Sequence, residues 1–248
     1  MTSTGNIHSI YNIHSIYEMI ESRIIVEPKM SRTKFPQDKW DIDTMMETVR
    51  NIGRRLNPGF VLDESNTEVY RNLIYWLVAD ESMTSINPGN GSRIAGRLDK
   101  GIYLAGNTGS GKTLAMTIIR KLYPLFPFVD ADGVKVKWLE KRADEITEIY
   151  AKSGEIQQFK QSPLLCIQDL GCEPNEASFM GNKLNVLQNI IEYRGDQPNK
   201  VTVVTSNIPL GHSDIASRYG ERAQSRMVEM MNYLILTGKD RRYNIETK

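Results

Sequence analysis

Gly101-Ile-Tyr-Leu-Ala105-Gly106-Asn107-Thr108-Gly109-Ser110-Gly111-Lys112-Thr113-Leu114 is the stretch that decides how this chain is read. Its first residues form an apolar run of strand length, and a glycine-rich loop follows. The segment through Leu122 then has the character of a helix. Gly106 to Thr113 match the pattern G-x-x-x-x-G-K-[ST]. Glycines let the backbone fold tightly, so that successive N–H groups converge on phosphate oxygens. In that geometry Lys112 reaches the β- and γ-phosphates and the Thr113 hydroxyl ligates Mg²⁺. The helix that opens at Lys112, Thr113 and Leu114 adds the positive end of its dipole. A strand before the loop and a helix after it are the context the motif requires. The expected ligand is a nucleoside triphosphate with Mg²⁺.

The surrounding composition narrows the class. The 248 residues carry 31 Lys+Arg against 30 Asp+Glu, a formal net charge of +1, so any contact with nucleic acid must come from a local basic patch. At 40% hydrophobic and 25% charged residues the chain is globular, which excludes wholesale disorder. The longest clear apolar run, Leu73 to Ala79, falls far short of the roughly 18 residues of a membrane span. The N-terminus lacks the basic start and continuous apolar stretch of a signal peptide. Cys166 and Cys172 are too few for a disulfide framework or a metal cage. A reduced, cytoplasmic protein with no membrane contact is expected.

Three regions are expected. Residues 1–36 form an arm and linker. They open on a perfect tandem repeat, Asn6-Ile-His-Ser-Ile-Tyr11 and Asn12-Ile-His-Ser-Ile-Tyr17, and close on a basic, Pro-punctuated stretch from Pro28 to Pro36. Two copies are too few for a solenoid, and His8 and His14 are weak metal-ligand candidates. Residues 37–92 read as helical. Ile42, Met45, Met46, Val49, Ile52 and Leu56 recur at helical spacing until Asn57-Pro-Gly59 stops them, and a second helix runs from Thr67 to Ala79. Residues 93–248 form the core. Strands are expected at Gly101–Ala105, Val134–Trp138, Leu164–Ile167, Val201–Thr205 and Tyr233–Leu236. Helices are expected near 112–122, 142–151, 182–194 and 214–230. Strands alternating with helices imply an α/β domain with a largely parallel sheet covered on both faces.

A nucleotide-hydrolysing site of this kind needs a carboxylate at the end of a neighbouring strand. After Leu164-Leu-Cys-Ile167 the pattern expects two acids, but Gln168 is neutral and only Asp169 is charged. Two arrangements are open: Asp169 serves the metal, or Asp169 polarises water while Gln168 holds a water on the metal. Glu173 is either a reserve acid or a cap for the next helix. Weak hydrolysis is the expectation. Val201-Thr-Val-Val-Thr205-Ser-Asn207 is a β-branched strand that turns polar at its end, where ligands of such sheets bind. Asn207 or Thr205 can therefore sense the γ-phosphate, unless these residues merely cap the helix beyond Pro209. Arg222 and Arg226 are spaced i, i+4 and share a helix face. They read either as phosphate-stabilising arginines supplied to a neighbouring subunit or as a solvated basic face.

Taken in order, the phosphate loop, Asp169-Leu-Gly-Cys-Glu173, Thr205-Ser-Asn207 and Arg218-Tyr-Gly-Glu-Arg222-Ala-Gln-Ser-Arg226 resemble the AAA+ ATPases of the DnaC/DnaI helicase-loader and IstB transposition-helper group. Leu236-Thr-Gly-Lys-Asp-Arg-Arg242 is similar to the ending of its phage-type and Bacteroidetes-type members. The resemblance covers about residues 95 to 243. It implies a P-loop AAA+ core without a C-terminal lid, and ATP-dependent self-association into a ring or spiral with nucleotide between subunits. By the same resemblance Asn207 is the sensor, Arg222 the arginine acting in trans, and Arg226 a second arginine beside it. Gln168 departs from the family's first acid. The region of Lys135, Lys137, Lys141, Arg142, Lys152 and Lys160 corresponds to the channel-facing, DNA-touching part. Its mixture with Glu140, Asp144, Glu145, Glu148 and Glu155 also suits a solvated face. The implied function is loading of a replicative helicase onto single-stranded DNA, with residues 40–80 as the partner-binding surface. The alternatives are a transposition helper on duplex DNA and an ATP-gated adaptor that is not an enzyme.

Overall fold

The computed structural model describes residues 40–238 apart from Ala131 and Pro198. The tandem repeat, its two histidines, the basic linker and the basic end beyond Gly238 lie outside the described residues. Helix α1 spans Ile42–Leu56 and starts where the Asp41 side chain accepts the Thr44 N–H at 2.8 Å. It stops at Asn57, whose backbone is extended. Helix α2, Thr67–Val78, ends on Ala79 in the left-handed conformation. A hairpin of β1 (Thr84–Ile86) and β2 (Arg93–Ala95) follows, antiparallel and closed by the turn around Asn87 to Ser92.

Strand β3 is Gly101–Ala105 and helix α3 is Lys112–Leu122, both as the sequence predicts. Beyond α3 come β4 (Trp138–Arg142), α4 (Ala143–Ser153), the short α5 (Gln157–Gln161) and β5 (Leu164–Leu170). A small hairpin of β6 (Ala177–Phe179) and β7 (Asn182–Leu184) leads to α6, Val186–Gly195. Strand β8 (Val201–Ser206), α7 (Ser213–Met230) and β9 (Met231–Ile235) complete the described chain.

Five strands form one parallel sheet in the order β4-β5-β8-β3-β9. Every residue of β3 and β8 is buried, as expected for central strands covered on both faces. On one face, α1, α2 and α3 pack against Ile102, Leu104, Cys166 and Val203 in a single hydrophobic core. On the other, α4, α6 and α7 cover Tyr103, Leu165, Ile167 and Val204. The sheet and its two helical layers are thus the predicted α/β fold, and the two N-terminal helices share a core with it. Chain order reverses at β3, between β8 and β9. The crevice at the C-terminal ends of strands beside such a reversal is where ligands bind in open α/β sheets.

Several expectations move. The second core strand is Trp138–Arg142, not Val134–Trp138: Lys135 bridges back to Val129, so the alternating Val-Lys run is folded on itself before the chain enters the sheet. Because β4 is the sheet's edge it tolerates charged residues that a buried strand would reject. The helix expected from 182 begins at Val186, because Met180 and Gly181 take positive φ and turn the preceding residues into a hairpin. Asn185 then caps α6 by accepting the Gln188 N–H at 3.1 Å. Helix α7 is interrupted at Gly220, whose φ of 84° and ψ of 155° are not helical.

Candidate nucleotide site

The phosphate loop bridges β3 and α3 at the C-terminal edge of the sheet. Gly109 and Gly111 have φ of 76° and 101°, which side-chain-bearing residues rarely adopt. At Gly106 the constraint is steric: a Cβ there would stand 2.3 Å from the Leu236 carbonyl oxygen. That carbonyl is pinned because Leu236 N–H donates to Ala105 O at 2.8 Å, tying the loop's start to the end of β9. Gly106→Ala is expected to push the loop off β9, lowering the ligand-free melting temperature by several degrees, the equivalent of about 1–3 kcal/mol. A thermal melt without nucleotide checks it.

Lys112 is buried, and its Nζ donates to Gly106 O at 2.7 Å, Asn107 O at 3.0 Å and Asn207 Oδ1 at 2.6 Å. Two residues predicted independently from sequence, Lys112 and Asn207, therefore meet across 95 positions of chain. Thr113 is exposed at the first turn of α3, beside Leu114, and Asn107 and Thr108 are exposed on the loop. The Ser110 hydroxyl is buried without a hydrogen-bond partner among the described residues. A glycine cradle, an ammonium group at its centre and the start of an 11-residue helix fit a polyphosphate. Among the described residues no group of three or more His, Cys, Asp or Glu could hold a metal. A cation here would need phosphate oxygens to complete its shell, as Mg²⁺ with a nucleotide does.

One strand beyond β8, the end of β5 carries a bulge. Ile167 pairs with Val204, yet Leu170 pairs with Ser206, so one residue is extra. Asp169 is that residue: its φ is 55°, a conformation aspartate tolerates better than most. Its N–H donates to Thr205 Oγ1 at 2.9 Å, and Ser206 Oγ donates to Leu170 O at 2.7 Å. Thr205 and Ser206 thus hold the bulge, while His212 accepts from Asp214 N–H at the start of α7. Capping of α7 is not their work. The Asp169 carboxylate accepts from Arg142 Nη1 at 3.0 Å, and Arg142 also binds Asp144 at 3.0 Å. Gln168 faces the α3 side and donates through Nε2 to Glu140 Oε1 at 2.7 Å.

Glu173 lies elsewhere. Its side chain is buried and accepts from Gly171 N–H at 2.9 Å, from Arg218 Nε at 3.3 Å and from the Tyr219 hydroxyl. Burial first, and then the Glu173 charge, raise the Tyr219 phenol's pKa well above its ordinary value, so it remains a donor. This carboxylate neither faces the loop nor caps α6; it fastens the turn after β5 to α7.

Arg222 and Arg226 do share a face, both lying after the Gly220 break. Arg222 Nη2 contacts Asp196 Oδ2 at 3.0 Å, and Arg226 contacts Asp196 Oδ1 at 2.5 Å and Glu229 at 2.7 Å. The Arg226 stem lies where a Cβ of Gly195 would be, at 2.7 Å. Asp196 follows the last residue of α6 and precedes β8, so both arginines sit at the N-terminal edge of the sheet, opposite Lys112. Neither reaches the phosphate loop of its own chain.

Of the basic residues around β4 and α4, Lys141 pairs with Glu145 at 3.9 Å and Lys152 with Glu148 at 2.5 Å, while Lys160 stands 5.2 Å over the Tyr193 ring. Sequence reading missed Asp196, the pairing of Arg142 with Asp169 and the strand position of Glu140. No spacing rule links them to the loop, because each meets its partner only through the fold.

The sheet, the loop and their connection define an α/β P-loop nucleotide-binding fold. The chain matches no family model and no curated protein sequence. Among solved structures it is similar to the crystal structure of the DnaC helicase loader, with 20% identity over 73% of this chain and 95% of that one, at a TM-score of 0.46. It is also similar to AMPPCP-bound DnaA from Aquifex aeolicus, with 17% identity over 76% of this chain and 55% of that one, at a TM-score of 0.45. No helix among the described residues is long and apolar enough to cross a membrane.

Proposed function

We propose that this protein is an ATP-binding AAA+ protein of the helicase-loader kind, assembling with ATP on single-stranded DNA and hydrolysing ATP weakly. The observation that carries the reading is the contact of Lys112 Nζ with Asn207 Oδ1 at 2.6 Å inside the glycine loop. In this reading the N–H groups of Gly106 to Leu114 cradle the phosphates. Lys112 exchanges its loop carbonyls for β- and γ-phosphate oxygens, and Asn207 is released to report on the γ-phosphate. Thr113 and Asp169 would hold Mg²⁺, which neutralises charge on the phosphates when bound. The pairing of Asp169 with Arg142, together with an amide at residue 168, supports slow turnover.

Arg222 and Arg226 supply the γ-phosphate side of a neighbouring subunit's nucleotide. Their position at the sheet edge away from Lys112 supports action in trans, with Asp196 holding them in readiness. Arg222→Ala is expected to leave ATP affinity of the monomer within about twofold and to remove ATP-dependent assembly, since an exposed ion pair adds little to the fold. Analytical ultracentrifugation with a non-hydrolysable analogue checks this; loss of monomer binding would put Arg222 in cis. The α1–α2 layer is the proposed helicase-binding surface, and the basic residues of β4 and α4 the DNA-facing ones.

Light scattering with single-stranded or duplex DNA, each with and without a non-hydrolysable ATP analogue, tests the whole reading. Analogue-dependent growth on single strands supports the loader. Filaments on duplex would replace it with the transposition helper, and a monomer on both with an ATP-gated adaptor.

A further inference from the structure

Position 168 is where the sequence places an amide although the chemistry of the site asks for an acid, and a carboxylate stands directly beside that amide. Glu140 lies on the edge strand β4, where it pairs with Cys166, while Arg142 pairs with Gln168. Side chains two apart share a face, so Glu140 and Gln168 lie on the α3 side together. The Glu140 side chain is only 13% exposed. Every group on it is a donor: Gln168 Nε2 at 2.7 Å and Arg120 Nη1 at 3.3 Å on Oε1, and Trp138 Nε1 at 3.0 Å on Oε2. An ionised carboxylate only accepts. Its contact with Gln168 can therefore be made by the amide nitrogen alone, and the amide's Oε1 must face away from it. Among the described residues no hydrogen bond uses that oxygen.

We infer that Glu140 is a positioning residue for the nucleotide's metal. By holding the Gln168 amide nitrogen, it presents Gln168 Oε1 to the crevice as the neutral oxygen that replaces the missing acid, toward Mg²⁺ or its hydration shell. Arg120 and the Trp138 indole donate to the Glu140 carboxylate and keep it in place, so the amide has one orientation instead of two. The inference rests on the ATP reading of the site and adds an element from a strand that reading does not use. It also explains how an edge strand comes to carry a nearly buried acid without a ligand of its own.

The test is ATP affinity of the full chain, measured with a fluorescent analogue in the presence of Mg²⁺ and in EDTA. The proteins compared are the wild type, Glu140→Gln, Gln168→Ala and the exchanged pair Glu140→Gln with Gln168→Glu. The wild type is expected to bind more tightly with Mg²⁺ than without. Glu140→Gln keeps shape but lets the two amides pair in either sense, and should cut that metal-dependent gain about tenfold while leaving affinity in EDTA and the melting temperature nearly unchanged. Gln168→Ala should lose the same gain. The exchanged pair restores one amide beside one carboxylate and should recover it. A Glu140→Gln protein that keeps the full gain overturns the inference. So does one that loses affinity equally with and without the metal, because that marks a merely structural role. A wild type that binds no ATP in either condition removes the nucleotide reading itself, which is a different failure from the other two.

Discussion

Lys112→Ala is expected to lower ATP affinity by about 100-fold or more and to leave the fold standing. In the free protein the ammonium is buried and satisfied by two loop carbonyls and Asn207. Those dipoles are weaker partners than phosphate oxygens, and hydrogen bonds between ionised groups contribute about 1.5–3 kcal/mol each. Losing a charge at the centre of the cradle therefore removes most of the electrostatic gain of binding. The stability cost is smaller, because the carbonyls it leaves lie at the mouth of the loop where water can take its place. Two measurements check the prediction together: calorimetric titration with ATP, and the rise in melting temperature that saturating ATP causes in the wild type. A variant that still shows that rise would take the phosphate loop out of the binding site.

Arg194→Met should destabilise the protein by about 3–5 kcal/mol, the largest stability effect expected of a single polar side chain here. Arg194 is 1% exposed on α6. Its guanidinium donates to Thr202 Oγ1 at 2.8 Å, Val201 O at 2.7 Å, Phe159 O at 2.9 Å and Ser162 O at 2.6 Å. It thereby collects carbonyls left over at the end of α5 and ties them to the start of β8. Methionine keeps the stem's volume but leaves these oxygens buried and unpaired. For a chain of this size the melting temperature should fall by about 10 °C, and Arg194→Lys, with a point charge but no fork, should fall between. Burial pushes the Arg194 pKa down to about 9 from a much higher ordinary value. A base with a lowered folded-state pKa favours folding only as pH rises past that value. The loss on mutation should thus be the same from pH 6 to pH 8. A change of under 1 kcal/mol by chemical denaturation would sink this account.

The phosphate loop was legible because its chemistry is local. Strand β3, the glycines, Lys112 and α3 are consecutive, and a backbone cradle depends on neighbours in sequence. The strand ends at Asp169 and Asn207 were legible for a related reason: a buried run that turns polar marks the edge of the sheet. The position of β4 was not. Val134 to Trp138 has strand propensity, but propensity says nothing about which residues reach the sheet, and the bridge from Lys135 to Val129 decided it.

Sequence by itself determined the α/β class, the phosphate loop and the identity of the polar residues at the strand ends, because each follows from periodicity or from a motif whose atoms lie close along the chain. Tertiary structure alone decided which partners those residues take. It set Asn207 on Lys112, turned Glu173 to Arg218 and Tyr219, placed Arg222 and Arg226 on Asp196 at the far edge, and brought Glu140 to Gln168. Each of these contacts joins residues that are remote in sequence and near only once a parallel sheet with long crossovers has formed. The energy of a hydrogen bond depends on distances that the order of residues does not encode.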